Sequence, residues 1–216
     1  RALNNWDGNT TKDGGGGAQI YSSTGTLSDL IISGNVANSG GGISCSNSEL
    51  TLHDLYIHDN NGLNNSGGAI FSSSTIDLYN SVFKGNHAHY NGGGLSFLDK
   101  GDYNLTNITV TQNSTGYDNA GNASRGSALL IKNGANVTVL NSIIWQNTDA
   151  VCQIKFEGNT SSTLNMSYTD FDGGKDEIVW LDPNGDTPWL DVDGVLNWGE
   201  GNIDADPLFV DSDSGD

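Results

Sequence analysis

Residues 67–86 read Gly67-Gly68-Ala69-Ile70-Phe71-Ser72-Ser73-Ser74-Thr75-Ile76-Asp77-Leu78-Tyr79-Asn80-Ser81-Val82-Phe83-Lys84-Gly85-Asn86. The stretch opens on glycines followed by an apolar residue. It continues through the alternating pair Ile76/Leu78 and closes on an apolar residue three places before an Asn. Each part recurs along the chain. The opening returns as Gly15-Gly16-Gly17-Ala18, Gly40-Gly41-Gly42-Ile43, Gly92-Gly93-Gly94-Leu95 and, more weakly, Gly126-Ser127-Ala128-Leu129, with its apolar members 25, 27, 25 and 34 residues apart. The closing motif returns as Ile32…Asn35, Ile57…Asn60, Val110…Asn113 and Ile144…Asn147, and a further step reaches Phe171, where Gly174 replaces the Asn. The middle pair returns as Leu50/Leu52, Tyr103/Leu105, Val137/Val139 and Leu164/Met166.

A fixed period of about 25 residues is the signature of a solenoid. Each repeat holds three short segments in which apolar and polar residues alternate, so one side chain points in and the next out. Segments separated by corners cannot pair within one repeat. They can pair with their equivalents in the next, at about 4.8 Å per rung. The expected fold is an all-β, right-handed parallel β-helix of about six coils with three short parallel sheets, its hand following from the bias of parallel crossovers. Glycine serves the tight corners. Asn35, Asn60, Asn86, Asn113 and Asn147, stacked at one corner, are expected to form a ladder of side-chain amides, a structural role rather than a binding one.

The step of 34 marks an insertion, read as a surface loop over residues 114–125 that could carry binding. The coils are assigned to residues 1–174. Residues 175–216 form an acidic, Trp-containing segment expected to pack on or cap the end of the rod. The charge supports the division: residues 1–169 hold 12 acids and 7 bases, and residues 170–216 hold 14 acids and one base, Lys175. The overall net charge of −18, with no basic patch, argues against nucleic acid as a partner. No apolar stretch approaches the ~20 residues of a membrane-spanning helix. Both ends read as cuts, so a longer parent chain or assembly is expected. Cys45 and Cys152 fall four rungs apart, roughly 19 Å, too far for a disulfide.

The quoted stretch also resembles a known repeat. Gly67-Gly68-Ala69-Ile70 followed by Phe83-Lys84-Gly85-Asn86 is similar to the paired tetrapeptides, Gly-Gly-Ala-(Ile/Leu/Val) and Phe-x-x-Asn, of chlamydial-type polymorphic outer-membrane proteins. The other coils match with Gly for Ala and Ile or Val for Phe. Residues 199–209 resemble the end of β-helix segments in large bacterial surface proteins. The resemblance implies an extracellular or cell-surface module of adhesin, passenger or appendage type, partnered by a glycan or protein. It names no ligand.

The sequence lacks the Asp-Asp, Gly-His-Gly and Arg-x-Lys elements of polygalacturonase-like enzymes, and Lys84, Lys132 and Lys155 show no carboxylate cluster in adjacent rungs. Asp29 and Asp54 occupy equivalent places, continued by Asn80, Asn107 and Asn141, and read as a corner column rather than an acid/base pair. His87 and His89, with His53 and His58 one repeat earlier, lack an evident third ligand for a metal. The preferred reading is therefore non-catalytic, with a polysaccharide lyase or hydrolase, or a phage-type tailspike, as alternatives. A tailspike trimer would call for an apolar stripe on an outer face, and none is read. In the tail, Asp182, Asn184 and Asp186 alternate, and Asp191 and Asp193 follow. These five oxygen side chains are the candidate Ca²⁺ ligands. Trp180, Trp189 and Trp198 are assigned to capping in preference to sugar stacking.

Overall fold

The structure is a computed structural model describing residues 4–8, 10, 14–116, 126–148, 152–157, 162–181, 188–189 and 196–209. Three sheets run along the rod, and every strand pair within them is parallel but one. Sheet 1 stacks Asn4–Asp7, Thr24–Ser33, Glu49–His58, Thr75–Lys84, Gly101–Thr111, the pair Ala135–Leu140 and Ile143–Trp145, the pair Thr163–Ser167 and Asp170–Phe171, and Leu196–Trp198. Sheet 2 stacks Val36–Ser39, Asn61–Asn65, His87–Ala88 and Ser114–Thr115. Sheet 3 stacks Ala18–Tyr21, Ile43–Ser46, Ala69–Ser72, Leu95–Leu98, Leu129–Lys132, Ile154–Glu157 and Ile178–Leu181, with Pro188–Trp189 added antiparallel at the end. The arrangement is a β-solenoid of about six turns, as the period requires.

The segments divide among the sheets differently from the sequence reading. The middle pair and the closing motif lie on one strand: Glu49–His58 runs for ten residues and carries both Leu50/Leu52 and Leu55/Ile57 inward. Asp54 sits between them at φ 55°, and Asp29, Asn80, Asn107 and Asn141 hold the same left-handed conformation one rung apart. A single left-handed residue shifts the alternation by one place, so the chain bends without leaving the sheet. Asp and Asn are the non-glycine residues that enter this region most readily. Sheet 2 is built instead from the residues after Asn35, Asn60, Asn86 and Asn113.

Corners recur in columns because the backbone repeats. Gly40 and Gly92 show why one corner favours glycine. Both have positive φ, and a Cβ at Gly92 would lie 2.0 Å from Ser96 Oγ, while one at Gly40 would lie 2.3 Å from the Ile43 carbonyl. In the same column Ser66 takes φ 59° and turns its hydroxyl back onto the Ala69 carbonyl at 2.5 Å.

Inside, like stacks on like. Leu52, Leu78, Leu105, Val139 and Met166 form one inward column of sheet 1, and Cys45, Phe71, Phe97, Ile131 and Phe156 one of sheet 3. The Phe71 and Phe97 rings stack with centroids 5.8 Å apart. This continuous apolar interior supplies the main cohesive term. Cys45 and Cys152 are both buried and form no disulfide with each other.

The amide ladder is present. Nδ2 of Asn35, Asn60, Asn86 and Asn113 each donates to Oδ1 of the next, at 3.0, 3.0, 3.0 and 2.9 Å. The same Oδ1 atoms accept the backbone N–H of the preceding ladder residue, and Nδ2 of Asn60, Asn86, Asn113 and Asn147 also donates back to the carbonyls of Ile32, Ile57, Phe83 and Val110. Where Gly174 interrupts the column, Gln153 steps in: Asn147 Nδ2 donates to its Oε1 at 3.1 Å, and its Nε2 donates to the Asp172 carbonyl at 2.7 Å.

Ser114–Thr115, the first residues of the expected loop, pair with His87–Ala88, and residues 117–125 lie outside the described residues. In the acidic segment a 3-10 turn, Gly174–Glu177, precedes Ile178–Leu181, which adds a rung to sheet 3 beside Ile154–Glu157. Leu196–Trp198 adds one to sheet 1, and the Trp198 ring lies 6.3 Å from Phe171 at the end of the interior.

Candidate functional site

The corner between sheets 3 and 1 is lined by hydroxyls and amides in successive rungs. Ser22, Asn47 and Ser73 take positive φ there, and Asp99 and Asn133 continue the column. Their neighbours Ser48 and Ser74 turn inward: Ser48 Oγ accepts the Ser23 N–H at 3.1 Å, Ser74 Oγ accepts the Ser48 N–H at 3.1 Å, and each donates to the carbonyl two residues earlier. One rung on, Lys100 and Gly101 leave no such serine. Tyr103 replaces it, its phenol oxygen accepting the Ser74 N–H at 3.4 Å and donating to the Leu98 carbonyl at 3.2 Å. Burial pushes the Tyr103 hydroxyl up to about 12, so it stays protonated.

Over this corner lies a shallow open groove of about 500 Å³, floored by Ser48 and Ser74 and walled by Ser22, Asn47, Ser73 and Lys100. It continues along sheet 1 past Thr26, Glu49, Thr51, Thr75 and Asp77 into a second hollow of about 300 Å³. The next outward column holds His53 and Tyr79, whose rings stack at 4.9 Å with planes 5° apart. The groove thus offers alcohols and amides repeated at the rung spacing, two carboxylates, one ammonium and an aromatic pair at its edge. Nothing in it forms a nucleophile–base–acid set.

Asp29 and Asp54 are corner residues, and Asp54 Oδ2 meets His53 Nδ1 at 2.7 Å. His58 and Asp59 repeat that contact at 2.7 Å. His87 Nδ1 meets Ser114 Oγ at 2.9 Å, and burial, with His89 nearby, holds its imidazole below the ordinary value. Among the described residues no group of three or more His, Cys, Asp or Glu is placed to hold a metal. Asp182, Asn184, Asp186, Asp191 and Asp193 lie outside the described residues. Lys132 and Lys155, read as lacking a carboxylate cluster in adjacent rungs, share a single carboxylate: Glu157 meets both, each at 2.6 Å. One carboxylate held by two ammonium groups is an ion-pair cluster, not the acidic cation site of a lyase.

The family model described as "Right handed beta helix region" matches residues 4–166. The chain belongs to the right-handed β-helix family. That membership gives the hand of the solenoid and covers every coil up to Met166. No curated protein and no solved structure matches the chain. A fold carries no function by itself, so the site must.

The groove was missed in the sequence although its signal is there. Ser22-Ser23-Thr24, Asn47-Ser48-Glu49 and Ser73-Ser74-Thr75 stand in register before each apolar pair. In a chain so rich in Ser, Thr and Asn, such triplets look like ordinary turn chemistry.

Proposed function

We propose that this β-helix is a non-catalytic, extracellular or cell-surface module that binds a neutral glycan along the corner groove. The observation that supports it is the groove itself. Its open, hydroxyl-rich walls repeat about every 4.8 Å along the rod, suited to an extended polyhydroxylated chain. The His53–Tyr79 pair offers a flat aromatic face to the C–H side of a sugar ring. Lys100 is the one cation among the groove's lining residues, against Glu49 and Asp77, and the chain carries −18 overall, so anionic polysaccharides are disfavoured. The likeness of residues 67–86 to polymorphic outer-membrane protein repeats supports the surface location.

Calorimetric titration with a panel of neutral and uronate-containing oligosaccharides tests this. A neutral member should bind, and Tyr79→Ala should weaken it about tenfold, the equivalent of roughly 1.4 kcal/mol. Absence of binding across the panel would sink the glycan reading. Release of reducing ends or unsaturated uronate would sink the non-catalytic one.

One observation favours a second reading, lateral self-association of the tailspike kind. Ile31, Tyr56, Val82 and Ile143, with Thr109 between the last two, stack outward on sheet 1, half-buried, in a largely apolar stripe that the sequence had not shown. Light scattering would then report a trimer.

A further inference from the structure

The outward face of sheet 3 carries a buried column. Ile70, Ser96, Leu130, Lys155 and Val179 follow one another rung by rung, and each is at most 8% exposed. Glycine corners come down over the column, and a Cβ at Gly126 would lie 2.9 Å from that of Lys155. A lysine between Leu130 and Val179 is costly unless its head is fully engaged. The Lys155 side chain is 8% exposed, and its Nζ lies 2.6 Å from Glu157 Oε2 and 3.0 Å from Asn91 Oδ1. Asn91 is 64 residues away and two rungs back. Lys132 holds the other oxygen, Glu157 Oε1, at 2.6 Å.

We propose that Lys155 and Asn91 condense within the folded chain into an Nζ–Cγ amide, with Glu157 as the proton carrier and ammonia as the leaving group. The geometry places the reactants in contact. Asn91 Cγ lies one C=O bond, about 1.2 Å, beyond the oxygen that Nζ already touches. Approach to the ~3–3.5 Å of a near-attack arrangement needs only a turn of the carboxamide. Glu157 takes a proton from the Lys155 ammonium, freeing its lone pair. The lone pair attacks Cγ, and the carbonyl π electrons move onto Oδ1. The Cγ–Nδ2 bond then breaks as the carbonyl re-forms. Of the three Nζ protons one stays on the new amide, and two pass through Glu157 to the departing nitrogen, which leaves as ammonium. No oxidant, reductant or co-reactant is required. The Glu157 carboxylate is the adjacent general base that a lysine nucleophile needs, already in contact with the ammonium. Burial pushes the Glu157 carboxyl up, but Lys155 and, behind it, Lys132 together hold it below its ordinary value, so it begins as the base. Lys132 is a positioning residue, fixing the carboxylate toward Lys155. The product would tie the turn before Leu95–Leu98 to Ile154–Glu157 across the intervening Leu129–Lys132, spanning the coil that contains the insertion.

The mass of the denatured, intact protein decides the matter. The wild type should be lighter than its sequence by one ammonia, about 17 Da. Trypsin should leave the bond after Lys155 uncut and release a branched peptide joining the Asn91 and Lys155 segments. Lys155→Arg and Glu157→Gln should show the full mass. A wild type of full mass, cleaved normally after Lys155, overturns the proposal whether or not any variant folds. So does a loss of ammonia that persists in Lys155→Arg, which would assign it to succinimide closure at Asn91-Gly92. A fully cross-linked Glu157→Gln overturns the role given to Glu157.

Discussion

At the scale of single residues, the molecule replaces side-chain chemistry in kind from rung to rung. Asn86 takes the N–H and the amide of Asn60 on its Oδ1, and gives its own amide protons to Ile57 and Asn113. Asn86→Ala would leave several buried groups unpaired at once, at a cost of about 3 kcal/mol, visible as a lower urea midpoint. Tyr103 substitutes at a distance for a missing serine. Tyr103→Phe keeps the ring against Phe97, centroids 5.0 Å apart, but strands the Ser74 N–H, and should cost about 1–2 kcal/mol in the same measurement. These two residues differ in how far the sequence reveals them. The asparagines recur at a constant offset from an apolar residue, and their ladder is legible. Nothing local marks Tyr103, because it serves a corner it does not occupy. The Lys155–Asn91 contact is hidden for a related reason: 64 residues is no multiple of the repeat, and only the insertion and a two-rung reach bring the pair together.

At the scale of elements, the period revealed the stack but not the division of each coil among sheets. Asp54 and its equivalents break the alternation of a ten-residue strand, so one bent strand reads as two segments. The short sheet 2 carries little alternation to read, and its strand His87–Ala88 holds a histidine whose titration is shifted. Burial, with help from His89, keeps His87 below the ordinary 6.5. The folded state therefore resists the proton. The unfolded chain accepts it more readily as pH falls below 6.5, so the stability carried by neutral His87 is present above that value and is lost below it. Melting temperatures of the wild type and His87→Asn, followed from about pH 7.5 down to pH 5, should converge as acid is added. Parallel curves would show that His87 contributes nothing.

At the scale of the whole molecule, charge and cohesion are separated. The apolar interior and the strand ladders run the length of the rod, while 14 of 26 acids fall in residues 170–216. That segment repels itself at neutral pH, and a cation held by Asp182, Asn184, Asp186, Asp191 and Asp193 would relieve it. A ligand bound only by the folded state raises stability by mass action. Ca²⁺ at high ionic strength should therefore raise the unfolding temperature, and chelator should reverse the effect. Identical curves would dismiss the cation.

The central claim is that this protein coheres along its axis, each coil against the next through equivalent residues about 25 positions apart. Selective labelling of the asparagine side chains and NMR of their amides tests it most directly. The account predicts five slowly exchanging amides whose nuclear Overhauser contacts connect Asn35, Asn60, Asn86, Asn113 and Asn147 in that order. Rapidly exchanging amides in contact only with their sequence neighbours would contradict it.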